Sequence, residues 1–325
     1  VQKRGYFIKG KFDQFKRNIP FSALAQAFSG LMEQLLSESG EAVERWKGKI
    51  LEAVGEQGRV IIDVIPELEK VIGKQPPVTE LPASAAQNRF NLLFQKFIRV
   101  FPSASHPLVI FLDDLQWADS ASLKLMQLLA EDRETGHLLL IGAYRDNEVS
   151  AAHPLMLAVG EMEKNGCNIP RITLGSLDKS SINSLVAEAL CCGRQLAMPL
   201  TELVYQKTRG NPFFATQFLK SLHEDGLIEF DFASASWQCD MTEVRELSLT
   251  DDVVEFMAGQ LQKLPEVTRE VLKLGACIGS QFDLETLAIA LEKSVADTAG
   301  DLWKALQAGL IVPVGQIYKC YQGEE

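Results

Sequence analysis

What this chain lacks narrows it first. No stretch approaches eighteen consecutive apolar residues, so no membrane-spanning helix is expected, and the Lys-Arg start followed by aromatic and acidic residues is no secretory signal. Basic residues are in deficit: 32 Lys and Arg stand against 43 Asp and Glu, a net charge of −11. Gripping a phosphodiester backbone takes clustered cations that displace counterions, so nucleic acid is not the expected partner. The six cysteines (Cys167, Cys191, Cys192, Cys239, Cys277, Cys320) form no C-x-x-C pair and no zinc spacing. They are read as reduced, buried thiols of a cytoplasmic protein. The four histidines stand apart from one another and form no H-E-x-x-H pattern.

Also missing is a complete phosphate-binding loop. Residues 5–12, GYFIKGKF, satisfy G-x-x-x-x-G-K but carry Phe12 where a magnesium-ligating hydroxyl is needed. Tyr6, Phe7 and Ile8 are bulky and β-favouring, and Pro20 cuts short any helix begun at Phe12. The stretch is therefore expected to be a strand, with Gly10 marking a bend or a close backbone approach. At 325 residues the chain is long enough for two or three units. It begins with Val1, read as the mark of a fragment.

What is present is a helical pattern that gives way to strands. Leu24, Ala25, Phe28, Leu31, Met32 and Leu35 write one face of a helix that stops near Gly40, and less regular helix covers Glu41 to Gly55. Val60 to Val64 is a short apolar run. Lys74 to Pro82 reads as loop, and Phe90, Leu93, Phe94, Phe97 and Ile98 return a helix that ends before Pro102. Leu108 to Leu112 is then a continuous apolar run of strand length, expected to be buried on both faces of a parallel sheet. It ends in Asp113 and Asp114. Asp119 or Ser120 caps the next helix, through Leu123 to Leu129, and a second buried strand, Leu138 to Ala143, leads to Tyr144, Arg145 and Asp146.

Strand, helix and strand in that order make a βαβ unit, so both strand ends face one edge, where open α/β sheets place their ligands. Asp113, Asp114 and Arg145 are thereby brought together. A carboxylate at a strand tip can hold Mg²⁺ through water while its neighbour polarises an attacking water, and a desolvated arginine can stabilise phosphate charge. A capped loop with an ordinary ion pair explains the same residues; composition and spacing leave both open.

The wording around them resembles a family. VIFLDDLQWADSASLKLM followed by LLLIGAYRDNEV is similar to the STAND/AAA-type ATPases, in particular the ATPase region of large bacterial multidomain signalling serine/threonine and histidine kinases. GYFIKGKFDQFKRNIPFSAL resembles that family's second strand, and TRGNPFFATQFLKSLHEDGLIEF its helical lid. The resemblance implies ATP and Mg²⁺ as cofactors, with Asp113 on the metal, Asp114 and Arg145 in catalysis, and Arg145, Gly210 and Pro212 against nucleotide. It also implies that the first strand and P-loop lie upstream of Val1. Read from the residues, Gly210-Asn211-Pro212 is a helix-end glycine, an N-cap and a first-position proline, which needs no nucleotide.

The expected fold class is α/β: a partial P-loop NTPase-type parallel sheet at 1–175, a helical lid at 176–230 and a winged-helix-like domain at 231–325. In the last third, Asp178 or Ser180 opens a helix closed by Gly193, and Ile228 to Trp237 alternates as a hairpin. Helices are expected from Asp251, Pro265, Asp283 and Asp301. A final strand pair is expected at Leu310 to Val314 and Gln316 to Tyr321, whose Lys319 faces Glu324 and Glu325 and is poorly suited to phosphate.

The function expected is an ATP-binding, ATP-hydrolysing regulatory switch in an intracellular signalling protein. Its partners are ATP and ADP and the other domains of the same polypeptide, with a homo-oligomer left open. The stretch by itself, without a phosphate cradle, is expected to be inactive. The alternatives are a nucleotide-independent scaffold or protein-interaction module, and a winged-helix transcriptional regulator.

Overall fold

Three parallel strands organise the first half of the chain. In the computed structural model the described residues are 5–15, 17–232, 236–239, 241–242, 253–279 and 281–313. They divide into two compact units at Pro170 and Arg171.

In the first unit the order along the chain is β1 (Tyr6–Lys11), α1 (Ser22–Leu36), α2 (Gly40–Val54), α3 (Gly58–Ile62), α4 (Leu68–Ile72), α5 (Ala83–Arg99), β2 (Leu108–Asp113), α6 (Ser120–Glu131), β3 (Leu138–Gly142) and α7 (Pro154–Lys164). The sheet order is β1-β2-β3, both pairings parallel. Residues 5–12 thus form a strand, and its glycine has a definite job. A Cβ on Gly10 would stand 1.8 Å from the Ala23 carbonyl oxygen, so only glycine lets α1 lie this close.

Side-chain alternation then sorts the sheet into two faces. Ile8, Ile110 and Leu140 share one, as do Gly10, Leu112 and Gly142. Here Ile8, Ile110 and Leu112 join a core with Leu24, Phe28 and Leu31 of α1, Phe94 and Phe97 of α5, and Leu125 of α6. Phe28 lies 5.3 Å from Phe94, 5.5 Å from Phe97 and 6.2 Å from Phe101 between ring centroids. Each ring removed from water stabilises by about 2 kcal/mol, so this cluster anchors the unit.

The opposite face is partly exposed. Phe7, Val109 and Leu139 form one row and Lys9, Phe111 and Ile141 the next. Phe7 is 56%, Leu139 53% and Ile141 39% exposed. The expectation that β2 and β3 are buried on both faces is corrected for the described residues: on this face Leu139 and Ile141 of β3 are exposed and Val109 and Phe111 of β2 only half-buried, although an unbroken apolar run fits a strand with two covered faces. The apolar run at Val60 lies in helix α3, too short to show a helical period.

The second unit holds α8 (Lys179–Ala189), α9 (Arg194–Thr208), α10 (Pro212–Glu224), the antiparallel pair β4 (Ile228–Asp231) and β5 (Ser236–Cys239), then α11 (Val253–Lys263), α12 (Glu266–Ile278), α13 (Leu284–Leu291) and α14 (Val295–Gln307). Gly193 does not close α8; it stands at the start of α9, and α8 ends four residues earlier. The last helix starts at Val295, where Ser294 caps it, rather than at Asp301. Ile182, Val186, Val204, Phe218 and Ile228 form one apolar cluster, and Val271, Leu287 and Leu302 another. Between α8 and α9, the Asn183 amide donates to the Thr201 hydroxyl at 2.9 Å and the Arg194 carbonyl at 3.0 Å, satisfying a buried polar group.

The final strand pair expected for a winged helix, with Lys319, Glu324 and Glu325, lies from residue 314 onward outside the described residues. The cysteines differ from the expectation of burial: of the five described, Cys191 and Cys277 are exposed and Cys167, Cys192 and Cys239 half-buried. No helix among the described residues is long and apolar enough to cross a membrane.

Candidate functional site

Asp113 is the last residue of β2, and Lys11, the last of β1, is its partner in register. Main-chain bonds lace these tips together. The Phe12 N–H donates to the Asp113 carbonyl at 3.1 Å, and the Leu115 N–H to the Ala143 carbonyl at 3.0 Å. Asp114 follows in the left-handed region, with φ 53° and ψ 44°, which turns its carboxylate away from the strand direction and into cover. A short 3₁₀ turn, Leu115–Trp117, leads from there to Asp119, which accepts from the Ser122 N–H at 2.8 Å and caps α6.

The Lys11 ammonium spans both carboxylates, 2.9 Å from Asp113 Oδ2 and 2.6 Å from Asp114 Oδ2. Gln116 donates its amide to Asp114 Oδ1 at 3.0 Å and accepts the Arg145 N–H at 3.3 Å. The Arg145 Nε lies 3.7 Å from Asp114 Oδ1, while its Nη1 donates to Glu148 at 3.0 Å. Its guanidinium carbon sits 5.8 Å from the Trp117 ring centroid. The strand ends therefore do bring Asp113, Asp114 and Arg145 together.

Burial pushes the Asp114 pKa up, but the Lys11 ammonium, the Gln116 amide and Arg145 outweigh it and hold the carboxyl below its usual value. Lys11 shows the converse. Burial would discharge its ammonium, and the two aspartates more than compensate, raising its pKa.

Can these residues hold a metal or a nucleotide? The donor chemistry suits Mg²⁺, which keeps most of its waters and takes one or two carboxylates. Asp113 is the accessible one: its side chain is 38% exposed, against 7% for Asp114. Among the described residues no group of three His, Cys, Asp or Glu could hold a metal. A phosphate cradle is another matter. In residues 5–12 the glycines belong to β1 and its edge rather than to a loop, so the strand ends offer a carboxylate to a cation but no cradle to phosphates.

Gly210 and Pro212 belong to the second unit. Gly210 has φ +77°, and its carbonyl accepts the Leu177 N–H at 2.8 Å. A Cβ there would come within 2.0 Å of the Leu177 carbonyl oxygen. Asn211 caps α10 by accepting from the N–H groups of Phe213 and Phe214 at 3.0 and 3.3 Å, and Pro212 occupies the first helical position. Local structure alone accounts for this turn.

Sequence reasoning missed Lys11, Gln116 and Trp117. Lys11 was absorbed into a failed P-loop pattern; the available signal was its place as the last alternating residue of β1. A cavity of about 860 Å³ lined by Tyr6, Glu38, Trp46 and His106 lies near the strand starts, away from the aspartates.

Residues 1–141 match a family described as AAA ATPase domain. Over 94% of its length the chain is 31% identical to hybrid signal transduction histidine kinase G of Dictyostelium discoideum. It is 24% identical over 89% of its length to peroxide stress-activated histidine kinase mak2 of Schizosaccharomyces pombe. The chain spans about a tenth of these relatives, 10% and 13% of their lengths. Among solved structures, a variant of RuvB from Thermotoga maritima is 18% identical, covering 80% of this chain and 78% of that one, with a TM-score of 0.32. The first 141 residues thus match the AAA ATPase domain, in a chain similar along most of its length to segments of two far longer histidine kinases.

Proposed function

We propose that this chain is an ATP-binding, ATP-hydrolysing switch module of an intracellular, cytoplasmic signal-transduction protein. The reading is carried by one observation: two aspartates and an arginine that follow the ends of adjacent parallel strands meet at one edge, the aspartates within residues 1–141 that match the AAA ATPase domain and Arg145 four residues beyond. In this reading they form a site of Walker B type. Asp113 would hold Mg²⁺, Asp114 would orient the attacking water, Arg145 would answer the γ-phosphate charge, and Gly210 and Pro212 would contact nucleotide. Bound Mg²⁺ would neutralise phosphate charge. The core then corresponds to residues 1–175, a lid to 176–230 and a winged-helix-like part to 231–325, and nucleotide state acts by favouring one packing of these parts over another.

The partly exposed sheet face supports the same reading. Parallel sheets are covered on both faces, so Phe7, Leu139 and Ile141 call for further elements, and an upstream strand, P-loop and helix would supply them. Similarity to histidine kinases favours a place beside kinase domains in one longer polypeptide.

Titration with labelled ATP and Mg²⁺, on this chain and on one extended upstream, tests the proposal. Saturable binding by the extended chain, lost in its Asp113→Asn variant, is expected; failure of both chains refutes it. A nucleotide-independent scaffold is the second reading. It is favoured by the complete local explanation of Gly210 and by the ion pairs at the strand ends, where Lys11 bridges both aspartates and Arg145 is shared between Asp114 and Glu148.

A further inference from the structure

We propose that Lys11 is the resident cation of the Asp113–Asp114 pair, and that a divalent ion reaches Asp113 only by displacing its ammonium. The inference rests on the reading of this pair as a cation site and adds a residue that reading does not use. Lys11 is delivered by the backbone rather than by chance of rotamer. It lies in register with Asp113, Phe12 bonds to the Asp113 carbonyl, the Lys11 N–H donates to Gln26 of α1 at 2.8 Å, and Gly10 is pinned against Ala23. What can move is the side chain, which is 31% exposed and so has a way out to solvent.

All four carboxylate oxygens already have a donor. Asp113 Oδ1 takes the Asp114 N–H at 3.0 Å and Oδ2 takes Lys11; Asp114 Oδ1 takes Gln116 and Oδ2 takes Lys11. Three carboxylates, Asp113, Asp114 and Glu148, face two cations, Lys11 and Arg145. A divalent ion added to that arrangement would turn its net charge positive around a buried carboxylate, which the low local dielectric penalises. Arg145 is the weaker partner, at 3.7 Å and shared with Glu148, so the group that must yield is Lys11. Lys11 is thus a positioning residue: it holds the carboxylates in place while no metal is bound and sets how tightly a metal can bind.

Mn²⁺ binding, followed by electron paramagnetic resonance on this chain, reads the effect. Lys11→Met is expected to bind about tenfold more tightly than wild type, equivalent to about 1.4 kcal/mol, and Lys11→Arg to stay within about twofold of it. Equal affinities for wild type and Lys11→Met overturn the proposal. Adding Asp113→Asn to Lys11→Met should abolish the tight site. If tight binding persists, the ion sits elsewhere and the reading of the aspartates as a cation site fails, a result distinct from failure of Lys11 alone.

Should Lys11→Met not fold, as its melting curve would show, the wild type still decides. Amine acetylation mapped by mass spectrometry should rise at Lys11, relative to exposed Lys9, when Mn²⁺ saturates the protein. An unchanged ratio overturns the proposal.

Discussion

The strand ends of the first unit and the Gly210-Asn211-Pro212 turn of the second both look like pieces of a nucleotide site in the sequence, yet their structures explain them differently. At the turn every residue answers a local backbone need: Gly210 a positive φ and a close approach to Leu177, Asn211 a cap, Pro212 a first helical position. At the strand ends, no helix cap or turn calls for a lysine across two aspartates with one carboxylate buried. Charges kept at a cost in desolvation carry more functional information than residues that a turn requires anyway.

Several measurements would break or sharpen that contrast. Gly210→Ala should have the largest effect, about 3 kcal/mol of destabilisation in urea unfolding, because the new Cβ meets a backbone oxygen at a positive φ. A small loss there would show that the turn is not structurally required, and would reopen its claim to a ligand. Lys11→Met should cost about 2 kcal/mol, since it strips the main counter-charge from buried Asp114. The same variant should change acid sensitivity. Asp114 titrates below its unfolded value, so its stabilisation is present above about pH 4 and lost as pH falls through the lowered folded value. Without Lys11 that loss should begin at higher pH, which urea melts between about pH 7 and 3 would detect. Asn211→Ala should cost about 1 kcal/mol, the worth of an N-cap. Arg145→Gln should cost least, under about 1 kcal/mol, because its side chain is 58% exposed. A larger loss would make Arg145 a structural residue and weaken its part in the proposed chemistry.

Much of this was legible from the residues. The βαβ unit from Leu108 to Gly142, the caps at Asp119 and Asp178, the hairpin at Ile228 and the close approach of Gly10 all follow from local patterns of apolarity, capping and glycine use. The convergence of Asp113, Asp114 and Arg145 followed too, because a right-handed parallel crossover puts successive strand ends on one edge. Lys11 was not legible. Its partner lies 102 residues away, and their meeting depends on β1 pairing with β2 in one register out of several that the apolar pattern allows. Nor could the apolar runs reveal which face of the sheet is covered, since a run of leucines and isoleucines reads the same whether one layer or two packs on it.

By itself the order of amino acids determined the local elements and the sign of the charge that each strand carries to its end, because period, capping and turn chemistry act over a few residues. Only the tertiary structure decided that an ammonium from β1 would rest on the aspartates of β2 and that, among the described residues, one face of the sheet would be the better covered. Those outcomes depend on register and layer packing, which come from contacts between segments far apart in the chain.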